Sequence, residues 1–148
     1  MELKETWPII EEVISTGGEF HLAPHGNSML PLIRPGKDTV VLVAPNDLKK
    51  QDIVLYKRAN GQFILHRIMH IKKDHLLMCG DNLDYYEYEI KLEDILAKVK
   101  DILIDGKTKL DTSTKEYKKY VKSRYQKVRK AQFKNLVYRI VRPFIKKK

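Results

Sequence analysis

Between Phe20 and Ile104 the sequence is cut into short apolar runs by turn-forming residues, a pattern that points to strands. Thr39–Val43, Ile53–Tyr56, Gln62–Ile71, His75–Met78 and Ile95–Ile104 are rich in Val, Ile and Leu. Between them lie Arg34-Pro35-Gly36-Lys37-Asp38, Pro45-Asn46-Asp47 and Ala59-Asn60-Gly61, whose Pro, Gly, Asn and Asp favour turns. Periodicity alone would also allow a helix over Ile95–Ile104, but Asp105-Gly106-Lys107 reads as a closing turn and favours a strand. Strand after strand with short connections predicts a compact, mostly antiparallel β domain over residues 20–111. Before it, residues 1–19 hold a short helix over residues 5–16. Trp7, Ile10, Val13 and Ile14 are helically spaced, Pro8 sits in the first turn, and Gly17-Gly18 ends it.

Net charge divides the chain sharply. Residues 1–111 carry 15 Lys/Arg against 18 Asp/Glu, whereas residues 112–148 carry 14 Lys/Arg against Glu116 alone. Only the tail therefore calls for a partner that favours positive charge. The single cysteine, Cys79, rules out an internal disulfide and reads as an inert buried thiol. The N-terminal segment is acidic where a secretory signal would be basic and apolar, and no uncharged apolar run reaches about 18 residues. These features favour a cytoplasmic protein, or one peripheral at the inner face of the membrane.

Three clusters carry candidate chemistry: Gly26-Asn27-Ser28-Met29-Leu30-Pro31, His66-Arg67-Ile68 and Gly80-Asp81-Asn82. Ser28 opens a turn with backbone freedom at Gly26 and a fixed exit at Pro31, which exposes the hydroxyl and gathers amide donors such as those of Asn27 and Ser28. His66 lies in Phe63-Ile64-Leu65-His66-Arg67-Ile68, too apolar for an exposed strand. Burial keeps such an imidazole neutral and able to accept a proton. An ordinary imidazole places the onset of activity between about pH 6 and 7. Arg67 falls on the opposite face of the strand from His66.

In kind, order and approximate spacing, these clusters over residues 20–107 resemble the signal peptidase I-like serine peptidases, a clan shared with the LexA-type self-cleaving repressors. The chain is similar to the Ser/His members, and it lacks a transmembrane anchor. The resemblance implies a signal-peptidase/LexA-like β fold and a serine endopeptidase in which Ser28 attacks and His66 is the base, with no cofactor. Its substrates would be extended segments of precursor or leader peptides. It also implies that Arg67 pairs with an acid of the Gly80-Asp81-Asn82 turn, with Gly80 and Asn82 as structural support. Asp81, Asp84 and Glu87 are the acids available to orient His66, and Glu87, nearest the matching offset, stands ahead of Asp81. Two departures matter. Gly26 replaces a serine that donates to the oxyanion in many relatives, and Gln51-Asp52 replaces a Gly-Asp pair.

Other classes find less support. His66 and His70, or His21 and His25, would sit roughly 13 Å apart along a strand, too far for one metal ion. No Gly-rich phosphate loop is present. A LexA-type regulator is disfavoured because no helix-turn-helix precedes Ser28 and no Ala-Gly cleavage pair is visible. A non-catalytic peptide- or membrane-binding module of the same fold remains the alternative from another class. In the tail, Tyr117, Tyr120, Val121, Tyr125 and Val128 form a helical stripe, and Leu136, Val137, Ile140, Val141 and Phe144 read as its continuation. An anionic membrane surface is the favoured partner of this basic amphipathic segment, ahead of packing on the body, with nucleic acid last. The β domain is expected to fold without residues 112–148.

Overall fold

The structure is a computed structural model that describes residues 2–144, so the Lys146–Lys148 end of the tail lies outside the described residues. Helix α1 (Leu3–Ser15) turns Ile10 and Ile14 into the core and ends where the amides of Gly17 and Gly18 bond back to Ile14 and Val13. Seven antiparallel strands follow: β1 (Phe20–Leu22), β2 (Thr39–Val43), β3 (Ile53–Lys57), β4 (Phe63–Ile71), β5 (Leu76–Cys79), β6 (Glu87–Ile90) and β7 (Ile95–Ile104). Their spatial order is β1-β2-β7-β3-β4-β5-β6, and the two-residue β8 (Thr108–Lys109) pairs with β7. Helix α2 (Lys115–Val141) completes the chain.

The predicted strands appear within a residue or so of their expected ends. The sequence pattern missed β6, because Tyr85-Tyr86-Glu87-Tyr88-Glu89 is polar and only Ile90 of that strand is buried. Central strand β3 shows why its run is apolar throughout. Ile53 and Leu55 face the core beneath α1, while Val54 and Tyr56 face a second core with Ile68, Met78 and Ile95. Both faces are covered, so alternation disappears.

The tail departs most from expectation. Thr114 caps α2 by accepting a hydrogen bond from the Tyr117 amide at 3.1 Å. Val121 and Val128 are then fully enclosed, the latter against Met69 and Cys79. Tyr125 adds a hydrogen bond from its hydroxyl to the Met69 carbonyl at 2.8 Å. The first half of α2 thus packs on the β4–β5 end of the sheet. Leu136, Val137, Ile140 and Val141, by contrast, remain exposed. No helix among the described residues is long and apolar enough to cross a membrane.

Truncation after Asp111 is expected to cost about 3–6 kcal/mol, because each of the two enclosed valines contributes about 1.5–3 kcal/mol. Truncation after Lys130 should cost less than about 0.5 kcal/mol, as for surface changes generally. Urea denaturation of both truncated chains checks this; equal stability of the shorter chain and the full chain would contradict a docked α2.

Candidate active site

Ser28 sits in a turn that begins at Gly26, whose φ of 86° is the left-handed conformation that glycine adopts without strain. Met29 anchors the turn in the core beneath α1. A second turn holds it from the other side. The Asn82 amide donates to the Ser28 carbonyl at 2.9 Å, and the Asn82 side-chain amide donates to the Asn27 carbonyl at 3.1 Å. Gly80 lies where the two turns meet the strand bearing His66. A methyl group there would fall 2.5 Å from the Ser28 carbonyl oxygen and 3.0 Å from His66 Nε2. The Ser28 carbonyl and the His66 ring are therefore brought together across a gap that only glycine fits, a role for Gly80 that depends on size.

His66 is paired across to Val54 of β3 and is buried. Burial pushes its imidazole down to about 4, with Glu87 acting upward and Arg58 downward as smaller influences. The ring is neutral at pH 7, and its titration is displaced well below the range expected for an ordinary histidine. Its Nδ1 lies 3.1 Å from the Tyr56 hydroxyl, which in turn donates to Glu87 Oε1 at 2.6 Å. Tyrosine has one hydroxyl proton and a carboxylate can only accept, so Tyr56 must accept from His66. The proton of the neutral ring therefore sits on Nδ1 and leaves Nε2, on the Gly80 side, with a free lone pair. Ser28 Oγ makes no hydrogen bond to His66 among the described residues; catalytic hydrogen bonds are often long until substrate arrives.

Glu87 is held by Arg58 through two hydrogen bonds, at 2.8 and 2.9 Å. Burial raises its pKa, but the hydrogen bonds from Arg58 and Tyr56 outweigh burial and leave it below the ordinary glutamate value. Glu87 reaches His66 only through Tyr56. Asp81, the other acid proposed to orient His66, is turned away. Both of its oxygens accept from Arg67, at 2.9 and 2.8 Å, and one also accepts from Tyr120 of α2 at 2.7 Å. Asp84 is exposed. Arg67 and Asp81 are each 1% exposed in their side chains, forming a buried pair on the strand face opposite His66. Arg124 of α2 donates to the Asp81 carbonyl at 2.9 Å, so the helix braces the same turn that holds Ser28.

Tyr56 is the residue that sequence reasoning missed. It stands two positions from Val54, the cross-strand partner of His66, and so shares a sheet face with His66 as a diagonal neighbour. A tyrosine inside an otherwise apolar strand needs a partner for its hydroxyl, and that was the available signal.

Beside Ser28 lies a cavity of about 240 Å³, walled by Pro24, Gly26, Met29, Ile33, Phe63 and Leu65. Strand β4 is paired with β3 from Phe63 to Arg67 but with β5 only from Arg67 onward. One edge of Phe63–Leu65 is thus open next to the Ser28 turn. Cys79 is buried and its thiol is pushed up to about 11, first by burial and then by Asp81. His70 contacts the Tyr86 hydroxyl at 3.2 Å and packs edge-on to Tyr125. Among the described residues no group of three or more His, Cys, Asp or Glu side chains could hold a metal ion.

A family model described as Peptidase S24-like matches residues 2–100. No curated protein and no solved structure matches the chain.

Tyr56→Phe removes the acceptor that holds the His66 proton on Nδ1. It is expected to lower kcat by about 10²-fold with little change in KM, less than the ~10⁴-fold cost of losing the orienting acid of a Ser-His-Asp triad. Steady-state kinetics and ¹⁵N NMR of the His66 ring check this together; an unchanged tautomer with unchanged kcat would contradict the relay.

Proposed function

Because the chain belongs to the Peptidase S24-like family, we propose that it is a serine endopeptidase acting on extended segments of precursor or leader peptides. The observation that carries this reading is the approach of the Ser28 turn backbone to a neutral His66 across Gly80, with His66 Nε2 unprotonated on that side. Ser28 Oγ attacks the scissile carbonyl carbon while His66 Nε2 takes the hydroxyl proton. The peptide C–N bond then breaks as the same proton passes to the leaving amine. Water, deprotonated by His66, releases the acyl group from Ser28.

The Asn27 and Ser28 amides are the donors assigned to the oxyanion, a role supported by their place in the turn that Gly26 opens. Tyr56 and Glu87 hold the ring and face the charge that develops on it. The open edge of Phe63–Leu65 offers backbone groups to a peptide added as a strand, and the adjoining cavity takes a side chain near the cut. Arg67 and Asp81 keep a structural role.

Ser28→Ala and His66→Ala are each expected to abolish cleavage in a peptide-library screen, since groups that act as a unit lose nearly everything singly. Protonation of His66 removes the base, so wild-type kcat/KM should fall as pH drops through about 4. It should be level from roughly two units above that value. Cleavage by the Ser28→Ala protein would contradict the proposal, and a library left uncut by the wild type would favour the binding-module alternative.

A further inference from the structure

The two apolar stripes of α2 do not share a face. Tyr117, Tyr120, Val121, Arg124, Tyr125 and Val128 form the side that docks on the sheet. Phe133, Leu136, Val137, Ile140 and Val141 repeat the same three-and-four spacing. At about 100° per residue, the sixteen positions from Tyr117 to Phe133 rotate the second stripe about 160° from the first. It is not a continuation of the docking face, as the sequence pattern suggested, but faces nearly the opposite way. Every residue from Gln132 to Pro143 is exposed, and the stripe lies bare with them: Phe133 is 66% exposed, Leu136 52% and Ile140 61%. Nothing in the body explains a five-residue apolar stripe on a helix that runs on for about 16 Å beyond Lys130.

We propose that this distal half of α2 is a docking element for an anionic lipid surface, lying in the plane of the headgroups with Phe133, Leu136, Val137, Ile140 and Val141 facing the acyl chains. Charge selects that occupant. No Asp or Glu follows Glu116, while Lys130 and Lys134 border the stripe and Arg139 and Arg142 stand on the far side of the helix. A second copy packed helix to helix would set cation against cation with no acid to offset them. Nucleic acid would satisfy the lysines but offer nothing to the stripe. An anionic bilayer satisfies both, because long basic side chains reach phosphates from beside a buried apolar face. The surface is independent of the peptidase reading and would serve a binding module equally well.

The test uses the full chain in co-sedimentation with vesicles of phosphatidylglycerol and phosphatidylcholine in equal parts, and with pure phosphatidylcholine. Leu136→Asp and Ile140→Asp, alone and together, report on the stripe, and their melting temperatures should match the wild type because both sites are exposed. The wild type should partition onto the anionic vesicles and bind the neutral ones at least about tenfold more weakly. Each aspartate should reduce anionic binding about tenfold or more, as expected for losing a buried apolar side chain. The proposal is overturned if the wild type stays in the supernatant, or if the double variant binds as well as the wild type. It is equally overturned if, without vesicle binding, sedimentation velocity shows a dimer, or an oligonucleotide titration shows a complex, that the double variant abolishes.

Discussion

A buried ion pair, Arg67 with Asp81, ties the parts of this molecule together. Each partner gives up water, at a cost of several kcal/mol per ion, and the pair is tolerated only because its remaining hydrogen-bonding groups are also met. Arg67 Nη1 donates to the Gln51 carbonyl at 2.9 Å and also lies 3.3 Å from the Tyr117 hydroxyl. Asp81 receives Tyr120 in addition to Arg67. Among the described residues no buried side-chain nitrogen or oxygen is left without a partner. The pair joins β4, the Gly80–Asn82 turn and α2 at one point, so the position of each depends on the other two.

That constraint reaches the candidate site through simple strand geometry. Neighbouring residues of a strand point to opposite faces, so fixing Arg67 on one side fixes His66 on the other. The turn that carries Asp81 also carries Gly80 and Asn82, which close on the backbone of Ser28. Bringing two such groups together costs entropy, and a rigid shell supplies that order in advance. The His66 side adds a second shell of its own, in which Tyr56 sets the tautomer and Arg58 holds Glu87 in place. The family match covers the whole β sheet apart from the end of β7 and β8, and stops short of α2. Helix α2 nevertheless contributes Tyr117, Tyr120 and Arg124 to the brace, so the segment outside the match still shapes the site.

Much of this could be read before any coordinates. Strands such as Thr39–Val43 and Ile95–Ile104 are bounded by turn residues that mark their ends. Ser28 stood out by its turn between Gly26 and Pro31, which exposes the hydroxyl, and His66 by a run too apolar for an exposed strand. What stayed hidden depended on tertiary pairing. Tyr56 looks like one more apolar strand residue until β3 is laid against β4. Strand β6 borrows its form from β5 rather than from its own polar sequence. In α2, periodicity revealed two stripes but not their relative rotation, so two faces of one helix read as one long face.

Exposure of the folded chain to a fluorophosphonate probe at pH 7, followed by peptide mass mapping, puts the pairing of Ser28 with His66 to its most direct test. The adduct should form on Ser28 alone among the serines, and its rate should collapse in His66→Ala, because an unassisted serine hydroxyl is a poor nucleophile. An unmodified Ser28, or one that reacts as fast without His66 as with it, would mean that the two residues meet across Gly80 without forming a catalytic pair.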